Sequence, residues 1–118
     1  MNQTKTTMSK ITAHYQTAIA GEMKKIHVSE WDMDIYCRKT YPFRDEAKVL
    51  DLQQQGKTVD ALIESLIVKA LNEEGKKIFN DYDRPTLLNE ADPNVIVRVV
   101  GQINNFESRA PIGDLVKE

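Results

Sequence analysis

Between Gly75 and Leu88 the sequence reads GKKIFNDYDRPTLL, and its paired aspartates are the residues that most invite a chemical reading. From Asp81 onward, DYDRPTLLNEAD sets acids at the first, third and twelfth positions of a notional calcium loop. Such a loop surrounds a hard cation with oxygen ligands and needs a glycine at position six for its sharp turn. Thr86 stands there instead, and Pro85 at position five offers no side-chain oxygen. Capping and turn formation by Asn80, Asp81 and Asp83 is therefore favoured, since short acceptor side chains bond nearby backbone donors. GKT at Gly56–Thr58 ends as a phosphate-binding loop does, but the position that should hold that loop's first glycine is Asp51. A glycine closing one helix and a threonine capping the next account for it better.

Zinc ligation needs three or four convergent ligands, whereas this chain offers Cys37, His14 and His27 in elements of different type. Nucleophilic catalysis would need Cys37 or a serine to meet a base held by a third group. Cys37 instead falls in phase with Met33 and Ile35 on one strand face, the position of a small buried hydrophobe. No acid, base and nucleophile form a catalytic set, so catalytic, cofactor-binding and metal residues are all read as none and the protein as noncatalytic. Trp31 stands on an acidic hairpin tip, where it serves either as a contact anchor or as a residue folded back onto the core.

The elements that must position these residues follow from periodicity. After a polar lead, Met8, Ile11, Tyr15, Ala18 and Ile19 share a helical face, with Thr7 or Ser9 as cap and Gly21 as terminator. Ile26 and Val28, then Met33, Ile35 and Cys37, alternate with polar neighbours around SEWD, a β-hairpin pattern. RDEAKVLDLQQQG reads as a helix with acids in its first turn and Gly56 at its end. From Thr58 to about Asn72, Val59, Leu62, Ile63, Leu66, Ile67 and Ala70 fall on one arc, with Val68 and Leu71 off it. Those two are expected either within the fold or against another molecule, and they are the candidate residues for weak self-association. Asp92 as cap and Pro93 at the first helical position open a last helix, whose Val95, Ile96, Val99, Val100, Ile103 and Phe106 share one side and leave Val97 opposite.

The expected fold is thus α+β and mainly α-helical: an N-terminal helix and a β-hairpin packed with about three further helices. A chain of 118 residues has room for one core, so residues 1–118 are read as a single domain, with 1–8 and 108–118 as flexible ends. Its 41% apolar and 29% charged content is that of a folding domain. Sixteen basic against eighteen acidic residues leave a formal charge of -2, without the positive field that draws phosphate backbones, so nucleic acid is not expected as a partner. No apolar run approaches the roughly 20 residues that span a bilayer, which argues against a membrane role. One cysteine and a polar N-terminus point to a reducing cytoplasm.

In order and in motif the chain resembles the tail assembly chaperones of long-tailed bacteriophages and prophages. The resemblance runs from about Ile26 to Asn105: the hairpin IHVSEWDMDIYCRK with Val28 and Trp31 at its tip, an apolar helix, a junction with Gly75, Phe79, Asp83 and Leu87, and the helix DPNVIVRVVGQI. It implies a noncatalytic protein of the host cytoplasm, absent from the mature virion, that binds the tape measure protein and helps tail tube protein polymerise around it. It also implies that Phe79 and Leu87 dock the junction between helices while Asp83 caps or braces the turn through Pro85. No partner-binding residue carries over from the family. With little sequence after Phe106, the chain reads as the family's short form. The competing reading is a small phage or bacterial nucleic-acid-binding regulator, with Arg98, Gln102 and Asn105 on the polar side of a recognition helix.

Overall fold

The structure is a computed structural model that describes residues 3–105. Helix α1 (Gln3–Ile19) is followed by a hairpin of β1 (Lys24–Val28) and β2 (Met33–Cys37), then α2 (Phe43–Gln54), α3 (Thr58–Lys69), the short α4 (Arg84–Asn89) and α5 (Pro93–Asn104). The expected α+β, mainly helical architecture is what is found. The expected flexible end 108–118 lies outside the described residues. Gln3 to Met8, within the end read as flexible, lie in the first turns of α1, which opens ahead of Thr7 and Ser9.

The strands pair antiparallel in the register Ile26↔Ile35 and Val28↔Met33. Period-2 alternation then puts Ile26, Val28, Ile35 and Cys37 on the buried face, where they meet Leu66, Ile67 and Ala70 near the end of α3 and Val95, Ile96, Val99, Val100 and Ile103 of α5. The opposite face is wet and carries a cross-strand pair, His27 Nδ1 to Asp34 Oδ1 at 2.7 Å. A smaller cluster of Val49, Ala61 and Val68, with Leu52 against it, joins α2 to α3.

Two boundaries depart from the sequence reading. Thr58 does not cap α3 but is its first helical residue, Lys57 being the cap position; Gly56 closes α2 at φ +76°, as a left-handed terminator does. At its other end α3 stops at Lys69, three residues early. Ala70 is extended, and Leu71 exchanges two 2.8 Å backbone bonds with Tyr36, adding one residue of ladder beside β2. Leu71 fell off the helical arc because it is not helical.

Val68 and Leu71, read as candidates for self-association, are each 4% exposed. Val68 packs toward α2 and Leu71 is held at the sheet edge. Their apolar character is used inside the monomer, so neither offers a surface to a second molecule.

Among the described residues, α1 contributes nothing to either core cluster. Its C-terminal end is fixed by Arg38, whose Nη1 donates to the Ile19 carbonyl. Tyr15 and Ile19 line a cleft there with Arg38, Tyr41, Asp45 and Val68. Burial, and then the Asp45 carboxylate, raise the Tyr15 hydroxyl pKa.

Candidate functional site

The hairpin tip and the junction meet. Ser29–Trp31 form a single 3₁₀ turn, and Asp32 takes the left-handed conformation (φ 50°) that lets the chain reverse into β2. Aspartate tolerates that region better than most residues, its short side chain bonding locally. Trp31 is half-buried and folds back, meeting Phe79 edge to face at a centroid distance of 6.5 Å. Glu30 beside it receives both Nη1 and Nη2 of Arg98, at 2.7 and 2.6 Å, which ties the tip to α5. That fork lowers the Glu30 carboxyl to about 2 and raises Arg98.

The junction is built by side-chain caps. Asn72 Oδ1 accepts from the Glu74 and Lys76 N–H groups, a local turn that Gly75 completes at φ +83°. A Cβ on Gly75 would lie 2.3 Å from Arg38 Nη2, the side chain that also holds α1. Further on, Asn80 and Asp83 form a reciprocal capping box, with Asn80 N–H donating to Asp83 Oδ2 at 2.9 Å. Arg84 Nη2 then donates to Glu64 on α3 at 2.7 Å and to Asp81 at 2.8 Å; its hydrogen bond is the main cause that lowers the Asp81 carboxyl. Asp81 and Asp83 of the notional calcium loop thus hold backbone or guanidinium donors of the junction itself. Leu87 of α4 is buried in the main core, and Phe79 is half-buried at its margin.

Sequence reading missed a charged cluster beneath this surface. Lys69 is 3% exposed; its Nζ lies 2.8 Å from Glu46 Oε1 and 3.0 Å from Asn104 Oδ1, and 5.7 Å from the centroid of the Tyr41 ring. The Tyr41 hydroxyl donates to the Lys69 carbonyl at 2.7 Å and accepts from Arg38 N–H at 2.9 Å. Lys69 thereby joins α2, α3 and α5. The available signal was a lone lysine inside the apolar run SLIVKAL, and acids at Asp45 and Glu46 read only as helix-dipole partners.

Of the residues read as a recognition surface, Gln102 and Asn105 are exposed. Arg98 is the helix's one charged residue, and it is bound to Glu30. Cys37 is wholly buried on the sheet's inner face. Surface features also include an apolar groove of about 210 Å³ between α3, α4 and α5, and the exposed Met8 and Ile11 on α1.

The fold defines a class, a mainly helical α+β domain with a hairpin clamped across two helices. No family model and no curated protein matches the chain. Among solved structures, that of the bacteriophage HK97 tail assembly chaperone is similar to it, with a TM-score of 0.60 and 15% identity, covering 84% of this chain and 97% of that one. The two share a fold across nearly the whole of the HK97 protein.

Proposed function

We propose that the protein is a noncatalytic tail assembly chaperone of a long-tailed bacteriophage or prophage, which binds the tape measure protein and assists polymerisation of the tail tube protein. One observation carries this reading: the architecture follows a tail assembly chaperone over 97% of that chain's length at only 15% identity. The lack of a reactive constellation among the described residues is compatible with it, and so are the apolar surfaces, since a chaperone acts by covering apolar segments of a client. On this reading the protein works in the cytoplasm of the bacterial host and leaves the tail before the virion is complete.

Coexpression with the tape measure protein from the same gene cluster tests the proposal. The tape measure protein is expected in the soluble fraction, copurifying with the chaperone, and in inclusion bodies without it. Mass spectrometry of finished virions is expected to lack the chaperone. A tape measure protein that is equally soluble alone and never copurifies would remove the reading.

A further inference from the structure

We infer that the outer face of α2 is a docking surface for an acidic amphipathic helix of another protein. The inference deepens the proposed function, on which the assignment of that helix to the tape measure protein rests.

Helix α2 carries apolar residues on two faces. Val49 and Leu52 turn inward and pack with Ala61 and Val68 of α3. Phe43, Ala47 and Leu50 do not: among the described residues they belong to neither core cluster. Their spacing of four and then three aligns them as one stripe along the helix. Phe43 at its head is 76% exposed, and Ala47 and Leu50 are half-buried. This second face is why the apolar residues of α2 fall on no single arc.

Charge selects what the stripe can hold. The residues one position before Ala47 and Leu50, Glu46 and Val49, are buried, so one border of the stripe is the protein's own interior. The opposite border is the row one position later, Arg44, Lys48 and Asp51, which stands about 100° round the helix and is exposed. Every acid of α2 is engaged within the chain. Asp45 lies 3.7 Å from Lys77, Glu46 lies 2.8 Å from Lys69, and Asp51 accepts from Gln55 at 2.8 Å. Its two bases are not: among the described residues neither Arg44 nor Lys48 forms an ion pair. Lys48 acts on the Asp81 carboxyl from a distance, but that carboxylate is bonded to Arg84.

Two unpaired cations beside an exposed apolar stripe complement a helix whose apolar anchors are flanked by carboxylates, and they repel one flanked by lysines. A helix laid along a partner's apolar surface is read through anchors at this same three-and-four spacing. Three anchors over about two turns bury little area, so each contact is weak and reversible. Reversibility is what a chaperone that must release its client requires.

The test has two arms, both on the full-length protein. In the first, fluorescence anisotropy reads the binding of two synthetic peptides of about 20 residues, long enough to hold a helix, with leucines at the three-and-four spacing and either glutamate or lysine beside them. The glutamate peptide is expected to bind the wild type about tenfold or more tighter than the lysine peptide at low salt, because only the first meets opposite charge. Phe43→Gln is expected to weaken the glutamate peptide about tenfold or more, as loss of an aromatic anchor does. Arg44→Glu combined with Lys48→Glu, both at exposed sites, is expected to reverse the preference. Denaturation midpoints verify folding, and the two single reversals replace the double variant if it unfolds. Equal binding of the two peptides overturns the inference, as does binding that Phe43→Gln leaves unchanged. A Phe43→Gln variant that loses only association with its own kind also overturns it and gives the stripe to a second copy. In the second arm the tape measure protein of the same gene cluster is coexpressed with the wild type and with Phe43→Gln. Copurification with the wild type alone supports the inference. Copurification with both overturns it while the proposed function stands. Copurification with neither removes the proposed function, and with it the tape measure protein as source of the helix, while the first arm still decides the surface.

Discussion

Trp31 and Phe79 lie 48 positions apart in sequence, yet each rests on the other at the margin of the core. A valine-tryptophan tip and a glycine-phenylalanine junction stood out in the sequence as separate motifs, and no local pattern shows that two such motifs touch. Because both rings are half-buried, truncating either removes contact area without opening a closed cavity. Phe79→Ala is expected to cost about 2 kcal/mol, below the 3 to 5 typical of a core aromatic. Trp31→Ala should cost a similar amount, and the double variant less than the sum by roughly 0.5 to 1.5 kcal/mol, the usual worth of an edge-to-face pair. Urea denaturation of the four proteins measures this. Strict additivity would mean that the rings are neighbours without being partners.

At the scale of elements, two polar ties hold the assembly in register. Lys69 joins α3 to Glu46 of α2 and Asn104 of α5 in a nearly water-free setting. Such a pair is no large source of net stability, but breaking it strands a buried charge. Glu46→Ala is expected to destabilise by about 3 to 5 kcal/mol, and Glu46→Leu combined with Lys69→Met to restore most of that loss. If the double variant is as unstable as the single one, packing and not charge sets the cost. The second tie, Glu30 to Arg98, is exposed and acts through pH. Its carboxyl titrates at about 2 in the folded protein and at its ordinary value of 4.5 when unfolded. A lowered carboxyl stabilises above the unfolded value and loses that contribution as pH falls through the folded one. The stability difference between wild type and Glu30→Gln should therefore be constant above about pH 5, shrink from there toward pH 2, and weaken in salt. A difference independent of pH would show that the fork contributes nothing. Elements of this kind were partly legible beforehand. The hairpin, α3 and α5 declared themselves because each has a dominant apolar face at its own period, and Asp92–Pro93 marks a helix start by capping chemistry. The end of α3 was not legible, since Ala70 keeps the helical arc and the off-arc Leu71 does not by itself mark where the backbone is drawn into pairing with Tyr36. The tie at Lys69 was hidden for a related reason: burial of a charge is decided by partners from distant segments, which hydrophobic periodicity does not record.

For the whole molecule, what matters is that α1 is an appendage. At 17 residues it is the longest helix, yet both core clusters are assembled without it among the described residues. Isolated helices near this length are marginal in water unless a face is buried, and here only the end near Tyr15 and Ile19 has such support. The sequence displays the amphipathic stripe but cannot say whether its partner lies inside the chain or outside it. Removing residues 1–20 is therefore expected to leave the rest folded, with a loss below about 1 kcal/mol, because the deletion takes surface contacts and the Arg38 tie but no core side chain. In amide hydrogen exchange of the full-length monomer at low concentration, the first turns of α1 should exchange far faster than β1, β2 and α5, which open only with global unfolding. A truncated protein that fails to fold would show that α1 belongs to the core, and slow exchange at Met8 and Ile11 in dilute solution would place its covering surface within its own chain.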